Sequence, residues 1–405
     1  MLNRRTLLAA AAAVPVTAGS RRARAQSKVV RLGVLNDQSG PYRDIGGMQS
    51  VNAVRQAVAE FGGGMQIEVL FADHQNKPDV GAGIARQWYD QDGVSIILDV
   101  PTSSVALAVN NVAREKNRIL LDCGAATSDL TGSQCTPSTI HWSYDTYMLA
   151  RSTGGAMVKA GGDSWYFVTA DYVFGQQLQR DATIFVKAAG GKVAGASPYP
   201  FPGTSDFSSF LLSAQSSGAK VLGLANSGAD TINSIKQAAE FGLTSTMKIA
   251  ALLMYINDVH GLGLEQAQGL NLTESFYWDM NDGTRAFTKG FQARMPNIAP
   301  NMNNAGSYAG ALHFLKAVRA LGGPAAALDG AAVVAQMKAM PTEDDAFGKA
   351  SIRSDGMALV PSYLFQVKTP AESKYPWDYY KLVVATPADQ AWKPLAEGGC
   401  PLIRS

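Results

Sequence analysis

The chain has 405 residues, more than one hydrophobic core usually covers, so two domains are expected. Its 35 lysine and arginine residues nearly balance 33 aspartate and glutamate residues, and no basic run could follow a phosphate backbone, which argues against nucleic acid as a partner. After the N-terminal segment, no apolar run reaches the roughly 18 residues of a membrane-spanning helix. The sequence therefore predicts a soluble product.

The first 25 residues have the pattern of an export signal: a charged start, an alanine-rich apolar stretch and an Ala-x-Ala exit around Arg24. Arg4 and Arg5, followed by Leu7 and Leu8, resemble a twin-arginine signal, and the alternative is an ordinary secretion signal that holds two arginines. We expect the mature chain to begin near residue 26, outside the cytoplasm. Cleavage would remove five arginines and no acid, which leaves 30 basic against 33 acidic residues and a net charge near −3.

The remaining chain alternates strands and helices, which is typical of parallel sheets covered on both faces. The first series has predicted strands at 29–35, 66–72, 96–100 and 119–123 and helices at 48–60 and 80–90. The second has strands at 165–169, 191–199, 221–225, 249–253 and 270–278, with helices at 175–189, 207–216 and 231–241. Helices at 284–294, 307–321 and 331–340 are expected to return to the first unit, followed by a hairpin of 350–353 with 363–367 and a strand at 379–384. The pattern predicts an α/β fold with two doubly wound lobes.

Two strands of the first unit run directly into loops of small residues. The strand at 96–100 leads to Thr102, Ser103 and Ser104, and the strand at 119–123 leads to residues 124–128 and a predicted helix. Because neighbouring parallel strands bring such ends together, the loops predict a cradle for one small anion such as a carboxylate. The alternative is that these hydroxyls only cap helices.

Cysteine and histidine positions give no sign of catalysis. Cys123 ends an apolar strand and is expected to be a buried thiol, whereas Cys135 and Cys400 lie in polar loops and are predicted to form a disulfide. The four histidines are far apart and show no metal-ligand spacing, and no nucleophile elbow, phosphate loop or dinucleotide fingerprint is present in the sequence. We therefore expect neither an enzyme nor a cofactor.

The segments 33–42, 102–104, 124–127 and 171–175 resemble the leucine/isoleucine/valine-binding family of periplasmic receptors. The resemblance implies a type I periplasmic binding protein, a monomer whose two lobes are joined by a three-strand hinge and close on the ligand like a Venus flytrap. It also implies a periplasmic location and a partner permease of an ABC importer. The expected lobes are 26–144 with 279–355 and 145–278 with 356–385, and the tail at 386–405 returns toward the first lobe.

The same resemblance suggests a binding site between the lobes. Carried over by position, the first-lobe residues that would hold a ligand carboxylate are Ser103, Ser104, Ala125, Ala126 and Thr127. An aromatic wall, expected because rings bury much apolar area at small entropic cost, would consist of Tyr42, Tyr172, Phe174, Tyr277 and Trp278. The second lobe would add the loops with Ala229, Asp230, Met254 and Tyr255.

One departure from the family pattern bears on the ligand. Amino-acid receptors of this family usually place an acid after a second-lobe strand to pair with the ligand ammonium, whereas here the strand at 249–253 leads into Met254 and Tyr255. Asp258 lies beyond it, and Asp230 is expected to cap a helix. An aromatic acid therefore fits the pattern better than a branched-chain amino acid. The alternative function is a ligand-sensing module of the same fold for a signalling partner.

Overall fold

A computed structural model describes residues 29–403, so the export signal predicted over residues 1–25 lies outside the described part. The chain begins with a five-stranded parallel sheet in the order β2-β1-β3-β4-β5, which we call the N-terminal sheet. Its strands are β1 (Val29–Asn36), β2 (Gln66–Asp73), β3 (Val94–Asp99), β4 (Ile119–Asp122) and β5 (Thr139–His141), and the helices between them are α1 (Gly47–Phe61), α2 (Pro78–Asp90) and α3 (Ser103–Lys116). Strands β3 and β4 are buried throughout, as expected for apolar runs with helices on both faces.

The second unit follows α4 (Thr146–Lys159) and contains most of a seven-stranded sheet, here named the C-terminal sheet. Its successive elements are β6 (Ser164–Ala170), α5 (Val173–Ala188), β7 (Lys192–Tyr199), α6 (Ser208–Ser216), β8 (Val221–Ala225), α7 (Ala229–Glu240), β9 (Lys248–Ala251), α8 (Ile256–Leu262), α9 (Leu264–Ala267) and β10 (Asn271–Glu274). These five strands are parallel. The doubly wound fold predicted for each unit is confirmed.

The chain then returns to the N-terminal sheet with α10 (Asp282–Gln292), α11 (Met302–Ala320) and α12 (Gly330–Ala339). Both α10 and α11 pack on α1, and α12 packs beside β4, as the sequence predicted. A small antiparallel sheet follows, made of β11 (Thr342–Asp344), β12 (Gly348–Ile352) and β13 (Ala358–Leu359).

The final strands re-enter the C-terminal sheet as β14 (Ser362–Val367) and β15 (Tyr380–Thr386), both antiparallel to their neighbours, before the short α13 (Ala388–Ala391). The predicted hairpin of 350–353 with 363–367 is therefore wrong in its second strand, since β12 pairs with β13. Met357 bridges to His141 of β5, so the chain leaves the N-terminal unit after this residue and enters the C-terminal sheet at β14.

The tail after β15 lies against the N-terminal unit. Cys400 is joined to Cys135 by a disulfide with the Cα atoms 5.5 Å apart, and Cys123 is a buried free thiol. The Trp392 indole donates a hydrogen bond to the carbonyl of Val360 at 2.9 Å. In residues 29–403 we find no helix with the length and apolar character needed to cross a membrane.

Candidate functional site

The carboxyl ends of the parallel strands of both sheets face one another across a narrow central cavity, where open α/β folds usually bind ligands. The residues lining it are Tyr42, Ile45, Pro101, Gly124, Ala126, Tyr144, Tyr172, Phe174, Ser227, Leu253 and Tyr255. They follow β1, β3, β4 and β5 on one side and β6, β8 and β9 on the other. The side chains themselves fill most of the space, leaving little more room than a single water molecule needs.

A stack of three aromatic rings closes one side of the cavity. The hydroxyls of Tyr42 and Tyr172, one from each unit, are hydrogen-bonded at 2.7 Å. Phe201 stacks on Tyr172 with ring centroids 4.3 Å apart and lies 5.4 Å from Tyr42. Burial raises the pKa of both tyrosines, so both hydroxyls remain protonated near neutral pH. Phe201 was not among the predicted site residues. The signal was available, because Phe201 lies between two prolines after β7, which places an aromatic ring in a loop at a strand end.

A second tyrosine pair crosses the cavity near the chain's first change of sheet. The hydroxyl of Tyr255 donates to that of Tyr144, and the Tyr144 hydroxyl donates to the carbonyl of Gly124. The two rings meet edge to face, with centroids 5.9 Å apart. Tyr144 was placed by the sequence only as a lobe boundary, and its role in the cavity was missed.

The loop after β3 agrees with the predicted cradle in part. Helix α3 begins at Ser103, and among the described residues no side chain caps it. The Ser103 hydroxyl is buried without a hydrogen-bond partner in the described chain, and Ser104 is half-buried. Thr102 instead donates its hydroxyl to the Asn76 side chain. Capping therefore does not account for Ser103 or Ser104.

The loop after β4 differs from the prediction, because it leads into a single 3-10 turn at Ser128–Leu130 rather than an α-helix. The backbone N–H of Ala125 donates to Asp122 Oδ1 at 2.7 Å, and the carbonyl of Ala126 accepts from the N–H of Thr146 at 2.8 Å. These two backbone groups, which the prediction assigned to a ligand, are therefore already hydrogen-bonded within the protein.

Thr127 connects the two units. Its hydroxyl donates to Oε1 of Gln177 on α5 at 2.8 Å and accepts from the N–H of Asp129 at 3.3 Å. Gln177 in turn donates to Asp129 Oδ2 at 2.6 Å. Gln177 was missed because a glutamine within a helix carries no distinguishing pattern in the sequence.

Asp230 lies close to the aromatic stack. The expectation that it caps a helix is wrong, since α7 begins at Ala229 with Gly228 as its N-cap, and the Asp230 carboxylate accepts a 2.7 Å hydrogen bond from Tyr199. Burial raises its pKa to about 6, and its charge raises the pKa of Tyr42 and Tyr172. An acid is therefore present behind the aromatic side of the cavity.

Gly228 allows the units to approach each other. Its φ is +61°, and a Cβ there would lie 2.5 Å from the carbonyl oxygen of Pro41 in the other unit. The next N–H, that of Ala229, donates to the same carbonyl at 3.1 Å. Ala229 lines a neighbouring cavity with Asp258 and His260 at the edge of the cleft, not the central one.

Of the predicted site residues, five adjoin the central cavity without lining it, namely Ser103, Ser104, Ala125, Thr127 and Asp230. Besides Ala229, three others lie away from it. Met254 is buried in the core of the second unit. Tyr277 and Trp278 both donate to the carbonyl of Trp377, at 3.3 Å and 2.9 Å. Tyr277 also lines a different cavity beside β14. The reason is that β10 ends at Glu274, so Tyr277 and Trp278 lie in the turn that follows it and contact the loop between β14 and β15.

No metal site was found in the described range 29–403, where no three or more His, Cys, Asp or Glu side chains are grouped to hold an ion.

Comparison with known proteins identifies the family. The model of the periplasmic binding protein family matches residues 29–374. A periplasmic binding protein from Burkholderia mallei is 47% identical, with a TM-score of 0.89 over 93% of this chain and 100% of that one. A branched-chain amino acid ABC transporter periplasmic ligand-binding protein from Burkholderia xenovorans is 37% identical, with a TM-score of 0.80 over 92% of this chain and 99% of that one.

More distant structures share the fold. A solute-binding protein of an ABC transporter from R. palustris, in complex with benzoate, is 21% identical, with a TM-score of 0.80 over 92% of this chain and 99% of that one. No curated protein sequence matches the chain. With a family match over most of its length and two relatives above 30% identity, the chain belongs to the type I periplasmic binding proteins, the solute receptors of ABC transporters, which are not enzymes.

Proposed function

We propose that this protein captures a small carboxylate-bearing ligand in the central cavity and delivers it to the membrane permease of an ABC importer. The observation that carries the proposal is the buried Ser103 hydroxyl, which has no partner within the described residues although it begins a 14-residue helix beside the cavity. The N-terminus of such a helix offers free N–H groups and a partial positive charge to an anion. Ser103 and Ser104 are accordingly the main carboxylate-binding side chains, and Thr127 serves chiefly to join the lobes.

We further propose an aromatic acid as the ligand class, with a branched-chain amino acid as the competing class. Four tyrosines and Phe174 surround the cavity, and a flat ring would be held between them once the cleft has opened, because in the present conformation the side chains leave room for about one water molecule. Asp230 accepts from Tyr199, and its raised pKa makes it a weaker partner for an ammonium than an exposed carboxylate. Relatives of the fold were solved with benzoate and with 4-hydroxybenzoate, whereas a 37% identical relative is named for branched-chain amino acids.

Binding by lobe closure is the mechanism we propose. The N-terminal sheet with α10 to α12 forms one lobe, the C-terminal sheet forms the other, and the chain passes between them three times, after β5, β10 and β13. Polar contacts between the lobes include the two tyrosine pairs, Gln177 with Thr127, the N–H of Ala229 with the carbonyl of Pro41, and the Asn301 amide with Asn257 Oδ1. Opening would break these polar bonds and would also separate apolar side chains that pack across the cleft, among them Ile45 and Ala126 on one side and Phe174 and Leu253 on the other.

A binding screen tests the ligand class. Melting is measured with leucine, isoleucine and valine and with benzoate, 4-hydroxybenzoate and aliphatic acids, since a ligand at about 100 times its Kd adds roughly 2.7 kcal/mol of stability. We expect aromatic acids to raise Tm. A shift with branched-chain amino acids alone would reject the aromatic class, and chemical conversion of the recovered ligand would reject a binding role.

Site variants test the carboxylate contacts by calorimetry. Ser103→Ala and Ser104→Ala should each weaken binding of the carboxylate found in the screen by about tenfold, which corresponds to the roughly 1.4 kcal/mol of a hydrogen bond to a charged group. The matched control is Ser209→Ala, because Ser209 occupies the second position of α6 as Ser104 does in α3, and α6 contributes no residue to the lining of the central cavity. An unchanged Kd in both variants would remove these serines from the site.

We also propose export by the twin-arginine route, on the sequence of residues 4–8 alone. Replacing Arg4 and Arg5 with lysine should retain the unprocessed chain in the cytoplasm. Normal processing of that variant would favour the ordinary secretion signal.

A further inference from the structure

Two aspartates that have no positive partner among residues 29–403 lie next to Gly124, which lines the central cavity. Asp99 ends β3 and Asp122 ends β4, and they are neighbours in the strand register. Both are fully buried, and each keeps one carboxyl oxygen, Asp99 Oδ1 and Asp122 Oδ2, without a hydrogen-bond partner among residues 29–403. The other oxygens accept from the Asn36 amide at 2.8 Å and from the N–H groups of Gly124 and Ala125 at 3.0 and 2.7 Å.

Gly124 connects these carboxyl groups to the ligand site. It lines the central cavity, and a Cβ at this position would lie 2.6 Å from Asp99 Oδ1. The backbone of Asp99 and Val100 is held at φ +80° and +59°, where a β-branched residue is strained. The turn at Asp99 and Val100 thus holds the Asp99 carboxyl group against Gly124, in a backbone conformation that is unfavourable for these residues.

In the described part of the chain, the surroundings of the pair contain polar and titratable groups but no cation. The neighbouring groups are Asn36 on β1, Ser50 on α1, Cys123 after β4, Tyr144 after β5 and Asn303 on α11. The Asn303 amide is buried, and neither of its polar atoms has a hydrogen-bond partner by distance and angle in the described chain. Its Nδ2 lies 3.3 Å, and Asp99 Oδ2 lies 2.9 Å, from the position that a Cβ would occupy at Gly46. The Asn303 amide thus faces the carboxyl group of Asp99, and its N–H, like the donor groups of the other polar neighbours, opposes the rise in the pKa of Asp99 that burial causes.

Buried carboxylates without a cation favour their neutral form. Burial raises the pKa of Asp99, and burial together with the charge of Asp99 raises the pKa of Asp122. A ligand carboxylate placed above Gly124 would add a third negative charge in a region of low dielectric constant, where like charges at short range repel more strongly than in water. Protonation of the pair removes that repulsion.

We propose that Asp99 and Asp122 form a proton-binding site coupled to the ligand site, so that an anionic ligand and one proton bind together. The inference rests on the carboxylate ligand proposed above. The proton comes from solvent and is bound by the pair as a unit, without any change in covalent bonds of the ligand. Because the ligand-bound protein holds the proton more tightly than the free protein, affinity falls as pH rises through the titration of the pair.

Calorimetry with 4-hydroxybenzoate and, separately, with leucine tests the coupling from about pH 5 to about pH 9 in two buffers of different ionisation enthalpy. We expect uptake of up to one proton per ligand and a Kd that rises up to about tenfold per pH unit where the pair titrates. Proton uptake is measured on the unmodified protein, so the test does not depend on any variant folding.

Asparagine variants locate the proton. Asp99→Asn and Asp122→Asn keep an acceptor oxygen and cannot ionise, and asparagine tolerates the positive φ at position 99. Each should bind with a flattened pH profile, whereas Asp79→Asn, at an exposed position on α2, should retain the profile of the unmodified protein.

The outcomes separate this inference from the proposed function. A Kd independent of pH with no proton uptake, or affinity that increases with pH, would overturn the coupling while leaving the carboxylate receptor intact. Failure of every carboxylate to bind at any pH would overturn both.

Discussion

Tyr42 and Tyr172 provide a quantitative test of the contact between the lobes. Replacing either with phenylalanine keeps the ring that packs on Phe201 and removes one hydroxyl from a 2.7 Å bond. The bond itself is worth about 0.5 to 1.5 kcal/mol, and the hydroxyl left behind in a buried site costs about 1 to 3 kcal/mol. Each single variant should therefore lower the free energy of unfolding by about 1 to 2 kcal/mol.

The double variant Tyr42→Phe, Tyr172→Phe leaves no unpartnered hydroxyl and should be about as stable as either single variant. The expected coupling energy therefore equals the loss of one single variant, about 1 to 2 kcal/mol, measured by urea unfolding of all four proteins. Tyr166, whose hydroxyl bonds to Ser197 at 2.7 Å, supplies the control, because Tyr42→Phe with Tyr166→Phe should be additive. Additive effects for the pair Tyr42 and Tyr172 as well, within about 0.3 kcal/mol, would refute a stabilising bond between these two hydroxyls.

Three further predictions concern stability. Cys135→Ser should lower the free energy of unfolding by about 2 to 5 kcal/mol, and an unchanged melting temperature would mean that the disulfide adds nothing. Gly306→Ala places a Cβ 2.0 Å from Ser143 Oγ and should cost about 1 to 3 kcal/mol, part of which Ser143→Ala should restore, whereas Gly63→Ala meets no atom within 4 Å and should be near neutral. Burial raises the pKa of Glu274 to about 8, so its ionised form is disfavoured in the folded protein and stability is lost as pH rises toward that value. The urea midpoint of Glu274→Gln should therefore exceed that of the unmodified protein by more at about pH 9 than at about pH 5. An equal difference at the two pH values would contradict the raised pKa.

The fold was predictable where local pattern determines structure. The runs around Ile97 and Leu120 are apolar on both faces because parallel strands between helix layers are covered on both sides, so the strands could be read directly. The segment from Met357 to Val367 could not, because two short strands there belong to different sheets. Which sheet a short strand joins depends on partners distant in sequence.

The site was predictable at strand ends and much less elsewhere. Tyr42 and Tyr172 line the cavity, as predicted, because each follows a strand whose end is fixed by the sheet. Trp278 does not, since β10 ends four residues before it and the chain turns away. The partners of Asp230 and Thr127, namely Tyr199 and Gln177, come from other elements and leave no pattern in the sequence near either residue.

The disulfide has a consequence for biosynthesis. Cys135 lies in the first third of the chain, but its partner Cys400 follows every strand and helix of both lobes. A ribosome must therefore complete all of these elements before the bond can form, and a product cut short anywhere after β5 would carry Cys135 as an unpaired thiol. A thiol-reactive label applied under native conditions would thus distinguish full-length folded molecules from incomplete ones.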